Sequence, residues 1–246
     1  MIFGFSIMFG IGVFGRLASA YFLNKKSEGG SVEGGKYYRY KNILKDHNKV
    51  VFMIYNTSIH FAVMFLGPLF TIYILRTMEL SYLVLTLCMV GWWLGNVFSS
   101  KYWGRVSKKQ GNYYVLRLTT IYMCILPTLW IGVYYFGEHG RVIVSFIINL
   151  LAGFTFSGFG LSSFNMLYDI AEEEEVIKFS SLVNCMKGIG IFLGSIMAGS
   201  IVDSVYIINL FADYNFTSIQ FSMTISIILR CVSLYILSKS KIGLAI

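Results

Sequence analysis

Apolar residues in this sequence come in long blocks, separated by short polar or charged segments, from the first residue to the last. Within a block such as LVLTLCMVGWWLGNVF the apolar character covers every face of a helix and does not alternate. A membrane barrel strand would alternate polar and apolar residues over about ten positions, whereas a helix crossing the bilayer needs about twenty apolar residues with all its backbone hydrogen bonds made internally. The pattern therefore predicts helices, over residues 2–23, 50–75, 81–99, 115–135, 142–168, 182–201 and 221–237. The expected fold class is an all-α integral membrane protein of about seven transmembrane helices.

Composition supports this reading. With 56% hydrophobic and only 13% charged residues, a soluble chain of 246 residues could not cover its own surface, so the lipid bilayer is the expected partner. The net charge of +8 would suggest nucleic acid in a soluble protein. Here the basic residues sit mostly between the apolar blocks, where they report topology, and no nucleic acid is expected. Cys88, Cys124, Cys185 and Cys231 each fall in a different block without metal-ligand spacing, so they read as packing residues, and neither a metal nor a cofactor is expected.

Lysine and arginine resist translocation, and their distribution gives an orientation. One side collects fourteen of them, including Lys25, Lys26, Lys45 and Lys49 in the first loop and Lys101, Arg105, Lys108 and Lys109 in the third, while the other side holds only Arg76 and Arg141. The expected protein is a multi-pass protein of the cell (plasma) membrane, with its amino terminus outside and its carboxyl terminus in the cytoplasm. Ala18-Ser19-Ala20 has the form of a signal-peptide cleavage site. The first block, however, lacks a basic leader, and its removal would strand the lysine-rich loop outside, so it is expected to remain. Asn215-Phe216-Thr217 is a glycosylation sequon in an outside loop.

The end of the first block and the end of the last share a spacing: Arg16, Ser19, Tyr21, Leu23 and Lys25 against Arg230, Ser233, Tyr235, Leu237 and Lys239. Both copies place their lysine on the cytoplasmic side, so the repeat is parallel and its unit is six helices. A six-helix unit duplicated in parallel resembles the plan of the major facilitator superfamily of transporters. That resemblance implies that the chain holds the family's sixth helix followed by its seventh to twelfth. Residues 1–23 would be the last helix of a truncated first bundle, 24–49 a basic cytoplasmic linker, and 50–246 a six-helix carboxyl-terminal bundle. Met1 stands almost directly inside a span, as it would in an interrupted or late-started reading frame.

Two local stretches carry the same resemblance. Tyr102-Trp103-Gly104-Arg105-Val106-Ser107-Lys108-Lys109-Gln110-Gly111-Asn112 is similar to the family's short cytoplasmic loop in the spacing of Gly104 and Gly111 and in its basic residues. It departs from that loop at Lys108, where the family carries aspartate. The resemblance implies a cytoplasmic gate loop built from Gly104, Arg105, Lys108, Lys109 and Gly111. Residues 169–203 place an acidic loop, Asn184, and Gly188, Gly190, Gly194 and Gly199 in the order of the family's eleventh helix. Gly190 and Gly194, like Gly91 and Gly95, form a GxxxG face suited to close helix packing in lipid.

Candidate chemistry is sparse. All twelve acidic residues fall in loops, so no mid-membrane carboxylate offers a proton relay, and no paired carboxylates, HExxH or glycine-rich phosphate loop points to an enzyme. Tyr55, Asn56 and His60 form a polar stripe ahead of a kink expected at Gly67-Pro68. The stripe reads either as solute contacts or as interhelical hydrogen bonds. Lys187, about 8 to 12 Å into its helix at about 1.5 Å per residue, reads either as an attractor for an anionic group, with Asn184 one turn away, or as a lysine that snorkels or pairs with a neighbour. Asn149 and Asn165 are further substrate-binding candidates, and Trp92, Trp93 and Asn96 weaker ones. Arg16 and Arg230 need carbonyl partners, and the run Glu172, Glu173, Glu174, Glu175 reads as a solvated loop.

Together these features predict membrane transport of a small solute by alternating access, in a truncated chain that would need a separate amino-terminal half or a second copy of itself. The alternative is a non-transporting membrane scaffold or an inactive gene fragment.

Overall fold

The computed structural model describes residues 10, 13–19, 21–22, 43–202 and 218–239. The described residues before position 23 are helical and belong to a unit covering residues 1–37, and residues 38–246 form a second unit. Most of the expected first span, the lysines of the first loop at 25, 26, 36 and 41, Asp203, Asp213 and the sequon at 215–217 lie outside the described residues.

The second unit is a bundle of helices running alternately up and down. We label them α1 (His47–Met64), α2 (Gly67–Ile72), α3 (Tyr82–Gln110), α4 (Asn112–Val133), α5 (Glu138–Ile170), α6 (Val176–Val202) and α7 (Ser218–Lys239). Taking α1 and α2 with the wider π-type turn Tyr73–Thr77 as one span, six spans among the described residues are long and apolar enough to cross a membrane. The break between α1 and α2 falls where Gly67-Pro68 predicts it, with the proline in the first turn of α2, where its missing N–H costs nothing.

The helix ends follow their local chemistry. Asp46 caps α1, its carboxylate accepting from the N–H groups of Asn48 at 2.9 Å and Lys49 at 3.4 Å. At the junction of α3 and α4 a single residue, Gly111, turns the chain at φ 84°, a left-handed value that glycine adopts without a Cβ clash. The expected loop therefore contracts to one residue. Gly104, Arg105, Lys108 and Lys109 are helical, in the last turns of α3, because nothing before Gly111 interrupts the helix. Trp103, expected in the same loop, is instead buried between α3 and α5 and donates its indole N–H to Phe154 O at 2.7 Å.

Packing runs in an arc: α3 on α5, α5 on α4, α4 on α7, α7 on α1, and α1 on α6. The tightest joints are made by glycine. A Cβ on Gly95 would lie 2.0 Å from Leu150 O, and one on Gly153 would lie 1.9 Å from Trp92 O, so α3 and α5 meet backbone to backbone. Gly190 and Gly194 give α6 the same approach to α1, at Thr57 O and Phe61 O. Both GxxxG faces are thus used, whereas Gly188 and Gly199 face open space.

Replacing Gly95 by alanine should force α3 off α5 and cost about 2 kcal/mol, the usual scale of overpacking. Gly188→Ala should cost nothing. Unfolding midpoints in detergent micelles check the contrast.

Candidate functional site

The arc leaves a cavity of about 660 Å³ walled by α1, α3, α5 and α6, within the usual size of small-molecule sites, about 300 to 1,000 Å³. Most of the wall is apolar, and a few polar groups converge on it. From α1 come Asn56 and His60, from α3 Trp92 and Asn96, from α5 Ser163, and from α6 Asn184 and Lys187.

Four of these polar groups are held by their neighbours. Asn56, 2% exposed, donates from Nδ2 to Phe52 O at 3.2 Å and accepts the Ser163 hydroxyl at 2.9 Å, which ties α1 to α5. His60 Nδ1 lies 2.8 Å from Asn56 O. A carbonyl only accepts, so Nδ1 carries the proton, and Nε2, which makes no hydrogen bond among the described residues, is left as an acceptor. Asn184 Nδ2 donates to Ser180 Oγ at 3.4 Å, a long bond on an exposed residue. Lys187 is half-buried and has no carboxylate partner among the described residues.

Because α6 begins at Val176 rather than near residue 182, Lys187 stands eleven residues from the start of its helix, or about 16 Å at about 1.5 Å per residue, and it lines the cavity wall.

Three expected site residues stand elsewhere. Tyr55 is one position, about 100° of helix rotation, from Asn56. It is fully buried against α4, sharing a 2.6 Å hydrogen bond with Thr120 Oγ1. Asn165 lies on the face of α5 away from Ser163 and donates to Asn112 Oδ1 at 3.1 Å, in a cluster where Asn112 Nδ2 reaches Asp169 Oδ2 at 2.7 Å and Ser107 also bonds Asn112. Asn149 shares a stripe with Phe156 but sits two turns away. It lines a separate chamber and donates to Ser145 O at 3.0 Å. Trp93 is 62% exposed and takes no part.

Two features were missed from the sequence. Ser163 belongs to the face of Phe156, Phe159 and Gly160 at helical spacing, a signal present but unremarkable in a serine-rich helix. Glu175 is not solvated: it is 2% exposed and ion-paired to Lys49, which also lies 3.3 Å from Asp46. Neither half of that pair stands out among its charged neighbours in the sequence.

The Major Facilitator Superfamily model matches residues 52–239. The chain belongs to the major facilitator superfamily. No curated protein and no solved structure matches it. Membership in the superfamily supports a transporter of the major facilitator type. The match runs from Phe52, within α1, to the end of α7, so every residue that converges on the cavity lies within the superfamily region.

The Lys49–Glu175 pair joins the start of α1 to the link between α5 and α6. Lys49→Met should cost about 3 kcal/mol, because it leaves the Glu175 carboxylate buried without a partner, and the double substitution Lys49→Met with Glu175→Leu should recover most of the loss. Unfolding of the three variants in one detergent checks the sign.

Proposed function

We propose that this chain forms one half of a secondary transporter that moves a small anionic solute by alternating access. The observation that carries the proposal is the cavity itself. Among the described residues that line it, Lys187 alone is charged, surrounded by the neutral groups of Asn56, His60, Asn96 and Asn184. A cation with no carboxylate beside it favours a ligand that brings the negative charge, and the neutral donors and acceptors orient the rest of the molecule.

The spans bordering the cavity support a partner bundle. Of the six spans, those of α6 and α3 bury the smallest shares of their apolar windows, 17% and 28%. They present Phe98, Trp93, Phe192 and Ile196 outward. A second six-helix half seated across these two helices would close the open side of the cavity, and rocking of the two halves about the solute would expose it to each side in turn. In this reading residues 1–23 are the last helix of a truncated first bundle, 24–49 the linker and 50–246 the carboxyl-terminal bundle, and a separate chain supplies the rest of the amino-terminal half. Charge distribution supports an orientation in which the end bearing Lys49, Gly111 and Glu175 faces the cytoplasm, in the plasma membrane.

Proteoliposomes containing the chain together with a complementary amino-terminal bundle should exchange labelled organic anions from a solute panel, and Lys187→Gln should reduce that exchange at least tenfold. The chain alone, shown to be monomeric, should exchange none of them. Exchange by the monomer would defeat the two-half reading, and full activity in Lys187→Gln would defeat the anionic one.

A further inference from the structure

A second chamber of about 250 Å³ lies behind the first. The two share Val63, Trp92 and Phe156 as a partition, and the rear chamber extends from there toward Gly67, Trp130 and Asn149. Into it faces Arg230 of α7, only 4% exposed.

The position of Arg230 follows from Pro127. Proline has no N–H to donate to the residue four positions earlier, so the carbonyl of Met123 in α4 is left without its helical partner. Arg230 Nη1 takes that carbonyl at 2.6 Å. This accounts for one of the five N–H donors of the guanidinium. Nε is buried with no partner, and neither Nε nor Nη2 makes a hydrogen bond among the described residues. Nε is sealed from contact, so Nη2 is the donor left to a ligand, and a carboxylate oxygen suits a charged donor of this kind. Arginine keeps its charge in any protein environment, and among the described residues no aspartate or glutamate lines either chamber to balance it.

A charged group with an unused donor, on the wall of a chamber with room for several heavy atoms and the Asn149 amide beside it, has the parts of a receptor for a small carboxylate. We propose that the rear chamber is a binding site for a small carboxylate, held by the guanidinium of Arg230 and separated from the main cavity by Trp92 and Phe156. The site is distinct from the one proposed at Lys187. A chain that transported nothing would still bind the carboxylate here, so failure of one reading leaves the other standing.

Trp92 and Trp130 line the chamber and report on it. In the purified full chain, sodium acetate should change tryptophan fluorescence saturably and raise the thermal midpoint by several degrees. Sodium chloride at equal ionic strength, offering a spherical anion, should do neither. Arg230→Lys, which keeps the charge and loses the guanidinium, should weaken acetate at least tenfold. Ala152→Leu, which leaves Arg230 and its bond to Met123 in place and fills the chamber from α5, should abolish the response. An acetate effect no larger than that of chloride in the wild-type chain, or one that survives Ala152→Leu unchanged, would overturn the proposal. An absent acetate effect in the wild-type chain overturns the proposal even if neither variant folds, and a Lys187→Gln chain, in which the effect should persist, separates the rear chamber from the main cavity; loss of the effect there would overturn it too.

Discussion

The arrangement of this bundle depends on the approach of helix backbones at glycine. In lipid the hydrophobic effect does not drive helices together, since a neighbouring acyl chain is as apolar as a leucine, and close packing has to supply the preference. At Gly95 and Gly153 the backbones of α3 and α5 come so near that no side-chain carbon fits between them, and Gly190 and Gly194 seat α6 on α1 in the same way. These joints fix two pairs of helices. The space between the pairs, where larger side chains such as Trp92, Phe156 and His60 face one another, becomes the cavity.

Polar groups inside the bundle obey a second constraint, that each must find a partner where water is scarce. Most are satisfied within their own helix: Thr119, Ser162, Ser195 and Ser233 all donate back to a carbonyl one turn earlier. The few bonds that cross between helices are therefore informative. Ser226 to Ala62 O, Tyr73 to Trp130 O and Tyr113 to Leu237 O tie α7, α1, α4 and the π-type turn into one body. Lys187 and the guanidinium of Arg230 are two cations that this network does not fully satisfy among the described residues, and each lines a cavity.

Six of the seven expected spans, their alternation and the use of the GxxxG faces were legible in the sequence because they depend on local composition and on helical periodicity. The family was legible from the spacing of the repeat and of Gly104 and Gly111. Which polar residue faces the cavity was less so. Asn56 and Tyr55 are adjacent in sequence and equally polar in a pattern, yet the rotation of one residue sends the first to the cavity and the second into α4. The pairing of Lys49 with Glu175 joins positions 126 residues apart, each lying among like-charged neighbours, and nothing local marks either. Arg230 stood out as a charge within a span. Its link to Pro127 required knowing that α4 and α7 touch.

The one-residue turn at Gly111 has a mechanical consequence. A 29-residue helix and a 22-residue helix joined by a single glycine are two arms that share one pivot. One arm carries Trp92, in the partition between the chambers, and the other carries the Met123 carbonyl that holds Arg230. A tilt of one arm against the other is taken up by the two backbone torsions of Gly111, which a glycine turns at little cost. The partition and the arginine behind it thus hang from opposite sides of one pivot.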